Sequence, residues 1–177
     1  MKEVYIIVAV DSKDGIGKNG KLPWDLKEEL KYFSKITKTT EDPSKQNLVV
    51  MGWNTWESLP EEYRPLPDRK NLVLTQHHVG QCHVNRIPYV DHFEAALDKG
   101  FSDKDTEKIF IIGGAQVFSR AIRSPHLTGI YLTKIKGDFE CDTKFPEIPK
   151  DKFAAEEIGA EKEGKISYKY LLYKRKR

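Results

Sequence analysis

Four short, continuously apolar runs punctuate this chain: YIIVAV at 5–10, NLVVM at 47–51, NLVLT at 71–75 and KIFII at 108–112. Runs of this length, rich in β-branched residues, predict strands of a parallel sheet covered on both faces. Between them, helical patterns fall at 25–36, 54–59, 92–98 and 115–123. That alternation predicts an α/β fold with right-handed crossovers. GIYLTKI at 129–135 and KISYKYLLYK at 165–174 partly alternate, which predicts antiparallel strands added at the end. FPEIPKD (145–151) reads as a connection, and no linker splits residues 1–177, so one domain is expected.

The first strand runs into DSKDGIGKNGKLPW, where Gly15, Gly17 and Gly20 fit G-x-G-x-x-G. A dinucleotide fingerprint needs a helix opening at those glycines. Pro23 disfavours helix at Leu22 and cannot sit in a helix interior. The second strand ending in an acidic residue is also missing; KITKTTEDPSKQ holds its place. The stretch therefore reads as a mobile loop between a strand and a later helix.

The helix after it carries a sharper signal. Leu26, Leu30, Phe33 and Ile36 share an arc, and Glu29 falls about 60° from Leu26, inside that arc. Glu28 falls on the polar side with Lys27, Lys31 and Lys35. A carboxylate facing the core is costly without a partner. An internal Lys or Arg, a position at the edge of the face, or a polar ligand would each satisfy it.

Two further places have a strand–glycine–helix form. In KIFIIGGAQVFSRAI a strand ends at Gly113–Gly114 and a helix begins at once; free N–H groups there attract phosphate. In LVVMGWNTWESL a strand ends at Gly52, and Asn54 with Glu57 reads as a capping box. Many such turns hold glycine only for tightness. Two at the carboxyl ends of apolar strands fit a ligand at a topological switch point.

Composition narrows the classes. The net charge of +3 comes from interspersed charges, which does not press a nucleic-acid role. Cys82 and Cys141 form no disulfide framework and no metal-ligand spacing, nor do His77, His78, His83, His92 and His126, which read as surface residues. No membrane span or signal peptide is legible, so a cytoplasmic protein is expected; it is also expected to act as a monomer.

The motifs VAVDSKDGIGKNGKLPW, MGWNTWESLP, RPLPDRKNLVLT, IIGGAQVF, IYLTKI and DFECDTKFPEI, in this order and spacing, resemble dihydrofolate reductases from end to end. The resemblance implies an eight-stranded, mostly parallel sheet with a C-terminal antiparallel hairpin and four main helices. It implies reduction of dihydrofolate to tetrahydrofolate by NADPH, in one-carbon metabolism, with antifolate inhibitors as further ligands. It implies catalytic positions at Leu22, Trp24 and Glu29. Glu29 would accept from pterin N3 and the 2-amino group, Thr133 would support it, and Trp24 would hold a water. Ile7, Val8, Leu30, Phe33, Leu59 and Ile112 would sandwich the substrate rings, with Leu66 also in contact, and Arg69 would clamp the glutamate tail. Ala9 and Ile16 would meet the nicotinamide, and Gly113, Gly114, Ala115, Gln116 and Val117 the pyrophosphate region, where the Gly113–Gly114 peptide is cis in the family. Gly17, Gly52, Trp53, Asn54, Thr55, Leu74, Thr75, Gln76 and Phe118 complete the implied cofactor contacts. No metal is implied. The glycine-rich loop becomes a lid over both rings.

This chain also departs from that pattern. Basic residues common after the glycine of MG-x-x-TW are replaced by Trp53 and Asn54. Gln76, Gln116 and Asp91 stand at or near other basic positions. Arginine and lysine there would recognise a 2′-phosphate; their absence predicts reduced discrimination against NADH. Trp53 would then stack on adenine, with Thr75, His77 or His78 left to touch the phosphate. Phe118 stands for a frequent Tyr. Asp68 stands for a frequent Gly before Arg69, so a slightly different turn is expected there. Two rival readings are a same-fold pyrimidine reductase of riboflavin biosynthesis and a nonenzymatic folate- or nucleotide-binding module; Glu29 and Arg69 favour folate chemistry.

Overall fold

The strands alternate which face each residue serves, and both faces are covered. On β1 (Val4–Val10), Val4, Ile6, Val8 and Val10 join one apolar cluster, while Ile7 joins another on the opposite face. The structure, a computed structural model, describes residues 1–177. After β1 come β2 (Gly15–Gly17), α1 (Lys27–Lys38), β3 (Gln46–Gly52), α2 (Trp53–Ser58), β4 (Lys70–Leu74), α3 (Val79–Val84), β5 (Tyr89–Val90) and α4 (Phe93–Ser102). The chain continues through β6 (Thr106–Gly113), α5 (Ala115–Arg123), β7 (Leu127–Ile135), β8 (Thr143–Lys144), β9 (Phe153–Glu163) and β10 (Ile166–Arg175).

Eight strands form one sheet in the order β5-β4-β3-β6-β1-β7-β10-β9. Pairing is parallel from β5 through to β7 and antiparallel for β7–β10 and β10–β9. Side chains of α4 and α5 pack on one face with Val4, Ile6, Leu48, Val50, Ile109 and Ile111. Phe33 and Ile36 of α1 and Trp56 of α2 pack on the other with Ile7, Val49, Met51, Val73 and Phe110. Two covered faces explain why the central strands read as unbroken apolar runs. No helix is long and apolar enough to cross a membrane.

Four expectations about local structure are corrected. GIYLTKI is not simply antiparallel: β7 runs parallel to β1 and antiparallel only to β10. Five helices form rather than four, since Val79–Val84 adds a short one. The helix expected over 25–36 runs from Lys27 to Lys38, because Leu26 stays extended. Asn54 and Glu57 make no capping box: β3 extends to Gly52, the helix starts at Trp53, and no side chain caps it.

Candidate active site

Glu29 is buried, whereas Glu28 faces solvent and pairs with Lys31, as the helical period requires. The carboxylate has no Lys or Arg partner. Instead the Thr133 hydroxyl on β7 donates to Glu29 Oε1 at 3.1 Å. Burial pushes the Glu29 carboxyl up to about 7; the Thr133 hydrogen bond opposes that rise and the Glu163 charge adds to it. Thr133 lies in register with Ala9 on β1 and Tyr170 on β10. One row across the sheet therefore brings three strands under the carboxylate.

Trp24 is buried beside this row with Leu26, Tyr168 and Tyr170. Its indole Nε1 is buried without a protein partner, a donor that a ligand or an ordered water would satisfy. Ile7, Leu66 and the partly buried Phe33, Leu59 and Ile112 meet in one apolar cluster. Val8 does not join them: its side chain points to the opposite face, because neighbouring strand residues alternate. Leu30 and Leu22 are about half exposed, so Leu30 sits at the edge of the helix's buried arc rather than within it.

Arg69 is buried against the end of α1, where Thr37 lies. Its Nε donates to the Pro67 carbonyl and one Nη to the Thr37 hydroxyl, leaving further N–H groups of the fork for a ligand. Asp68 before it adopts φ +61°, the left-handed conformation a glycine would take without strain.

The second part of the site lies at the carboxyl ends of β3, β4 and β6. A side chain at Gly52 would come 3.3 Å from Val117 Cγ2 and 3.7 Å from the Gly114 nitrogen. One at Gly113 would meet Thr55 Oγ1 at 2.9 Å. The Gly113–Gly114 peptide is cis. Gly114 precedes α5 with no side-chain cap, so the N–H groups of that first turn lack a side-chain acceptor. Thus Gly52, Thr55, Gly113, Gly114 and Val117 come together, with Ala115 and the exposed Gln116 at the helix start and Phe118 buried behind. Beside them Trp53 stacks on His78, 4.5 Å between ring centres and 3° between planes. The Thr75 hydroxyl accepts from the His78 N–H and bonds its Nδ1. His78 is thereby half-buried and built in, unlike the other four histidines, which are exposed. Asn54 and Gln76 are exposed nearby in sequence, and Leu74 packs at the edge of the core.

The glycine-rich stretch is not an unpaired loop. Gly15 and Gly17 form β2 and pair with β8. Asp11, fully buried, accepts from the N–H groups of Lys13, Gly15 and Phe139. Asn19 donates to Asp142, whose own N–H donates to the Gly17 carbonyl. Ile16 packs against the α5 side of the sheet while Ala9 lies by Trp24, so these two expected neighbours belong to different clusters. Asp11 and Asp142 thus join the site from outside the positions the resemblance implies. A lone aspartate ending an apolar strand was the available signal for the first; nothing local marks the second.

The dihydrofolate reductase family profile matches residues 3–177. The dihydrofolate reductase of Heliothis virescens is 41% identical over 182 residues, covering 98% of this chain and 97% of its own length. That of Drosophila melanogaster is 40% identical, covering 97% of each. The bifunctional dihydrofolate reductase-thymidylate synthase of Glycine max is 40% identical over 84% of this chain but 29% of its own.

Proposed function

The chain belongs to the dihydrofolate reductase family and reduces dihydrofolate with a nicotinamide cofactor, and from that premise we propose how its own residues divide the work. Glu29 is the pterin anchor. The observation that carries this is a buried carboxylate whose one side-chain partner is a hydroxyl, which leaves acceptor lone pairs for two N–H donors. Thr133 orients it, and the Trp24 indole holds a water beside it. Ile7, Phe33, Leu59, Leu66 and Ile112 give the rings an apolar wall, with Val8 contributing backbone and Leu22 and Leu30 at the margin. Arg69 pairs with a substrate carboxylate through its remaining N–H groups. Compounds presenting the same paired donors to Glu29 compete as antifolates.

The residues at the second part of the site fit a dinucleotide. A cradle that a single Cβ at Gly52 or Gly113 would fill, next to the start of α5, suits a pyrophosphate. When bound, the reduced nicotinamide supplies a hydride. The protein's part is to stack the two rings and keep water out, and to tune the pterin through Glu29, with water carrying the proton to N5. Segment 11–24 closes over the site as a lid.

NADPH is the working cofactor, with a weakened preference over NADH. Trp53, Asn54, Gln76 and Gln116 offer no guanidinium to a 2′-phosphate; His78, held by Thr75 and Trp53, is the available donor. The chain acts as a one-domain monomer in the cytoplasm, a reading that two free cysteines suit. Dissociation constants for both cofactors, from quenching of tryptophan fluorescence, test the preference. A ratio below roughly a thousandfold, ~4 kcal/mol, is expected. A larger one overturns this reading.

A further inference from the structure

The helix that carries Glu29 does not start itself. Leu26 at its N-cap position offers no side-chain acceptor, so the first N–H groups of α1 need a partner from elsewhere. Glu163, the last residue of β9, provides it. Its Oε2 accepts from the Lys27 N–H at 2.8 Å and its Oε1 from the Glu28 N–H at 2.6 Å. The Tyr168 hydroxyl, across the hairpin on β10, donates to Oε1 at 2.7 Å and holds the carboxylate in place. This cap crosses 136 residues of sequence.

We propose that Glu163 is a positioning residue for the active-site carboxylate, fixing the first turn of α1 and setting the charge on Glu29 two residues further along. The physical reason is the helix terminus. Uncapped N–H groups carry a positive partial charge that favours an ionised carboxylate in the first turn. Glu29 stands in that turn. A carboxylate already seated on those N–H groups cancels their field and adds its own repulsion.

Few other groups face Glu29. Tyr32 from its own helix and Tyr170 from β10 lie near enough to feel its charge, and both are raised mainly by burial, so they stay neutral through the physiological range. Thr133 contributes a hydroxyl from β7. Glu163 itself is held below the usual glutamate range, first by the Tyr168 hydrogen bond, and so remains charged while Glu29 titrates. Its charge also raises Glu29.

The inference rests on Glu29 being the pterin anchor only for its consequences in turnover, because the test needs no substrate. The protein, labelled with carbon-13 at glutamate carboxyls, is titrated by NMR, and the Glu29 signal is assigned by its loss in Glu29→Gln. In Glu163→Gln, which keeps an acceptor and removes the charge, the Glu29 midpoint is expected to fall by roughly half a pH unit or more. Glu163→Asp draws the carboxylate back by one methylene and is expected to give a smaller fall. Should Glu163→Gln not fold, Glu163→Asp carries the test alone. An unchanged or raised midpoint in the folded variants overturns the proposal. A lowered midpoint with an unshifted pH profile of kcat leaves it standing and counts instead against Glu29 in turnover.

Discussion

Thr133 and Glu29, 104 residues apart in sequence, meet at 3.1 Å in the interior, where the threonine hydroxyl donates to the glutamate carboxylate. The pair makes Glu29→Ala the most direct variant. Glu29 is a buried carboxylate with no cationic partner, so its removal also removes a desolvation cost, and the protein should fold. Turnover at neutral pH should drop by at least about a hundredfold, the scale of losing one charge-aligned contact in a transition state. Steady-state assays with far-ultraviolet circular dichroism check both halves; wild-type-like turnover removes Glu29 from the mechanism.

Thr133→Val keeps the shape and deletes the donor. Since that hydrogen bond holds the Glu29 carboxyl down against burial, its titration midpoint should rise, by up to about one unit. Carboxyl NMR reads the change directly, and a fall would contradict the hydrogen-bond assignment.

The raised Glu29 carboxyl also shapes stability. Its folded value of about 7 exceeds the ordinary 4.5, so between these values the folded state binds more protons than the unfolded one. Stability from this group therefore declines as pH climbs from 4.5 to about 7 and levels off above. Glu29→Gln should remove that decline. Relative to wild type it should gain roughly 3 kcal/mol between acid and alkaline conditions, seen as a Tm difference that widens with pH.

The segment proposed as a lid offers a variant of a different kind. A methyl group at Gly15 would collide with the Cys141 side chain, 2.6 Å from its Sγ, and lie 2.9 Å from Asp11 Oδ1. Gly15→Ala should therefore separate β2 from β8, and kcat and KM should change together, as for other lid mutants. Asp11→Ala should do the same by releasing the N–H groups of Gly15 and Phe139. Unaltered kinetics in both variants would show that the latch has no part in turnover.

Gly100 on α4 tests the fold away from the site. A Cβ there would meet Ile109 Cδ1 at 2.5 Å and Leu48 Cδ2 at 3.1 Å. Overpacking of this order costs about 1–3 kcal/mol, so Gly100→Ala should lower the urea midpoint while kcat stays near wild type.

Local periodicity settled much of this protein in advance. The four apolar runs became β1, β3, β4 and β6 because helices cover both sheet faces, and a 3.6-residue period alone turns Glu29 inward and Glu28 outward. Other features left no local trace. Strand β9 carries mostly exposed side chains at the sheet edge, so its sequence neither alternates nor runs apolar; its backbone pairing with β10 makes it a strand. Val8 looked like a companion of Ile7 until the pleat sent them to opposite faces. Thr133 beneath Glu29, Glu163 on the first turn of α1, and His78 against Trp53 are contacts closed by topology. A side chain's neighbours along the chain fix which way it points. What it meets there depends on strands and turns that arrive from far along the chain, and only the folded structure decides that.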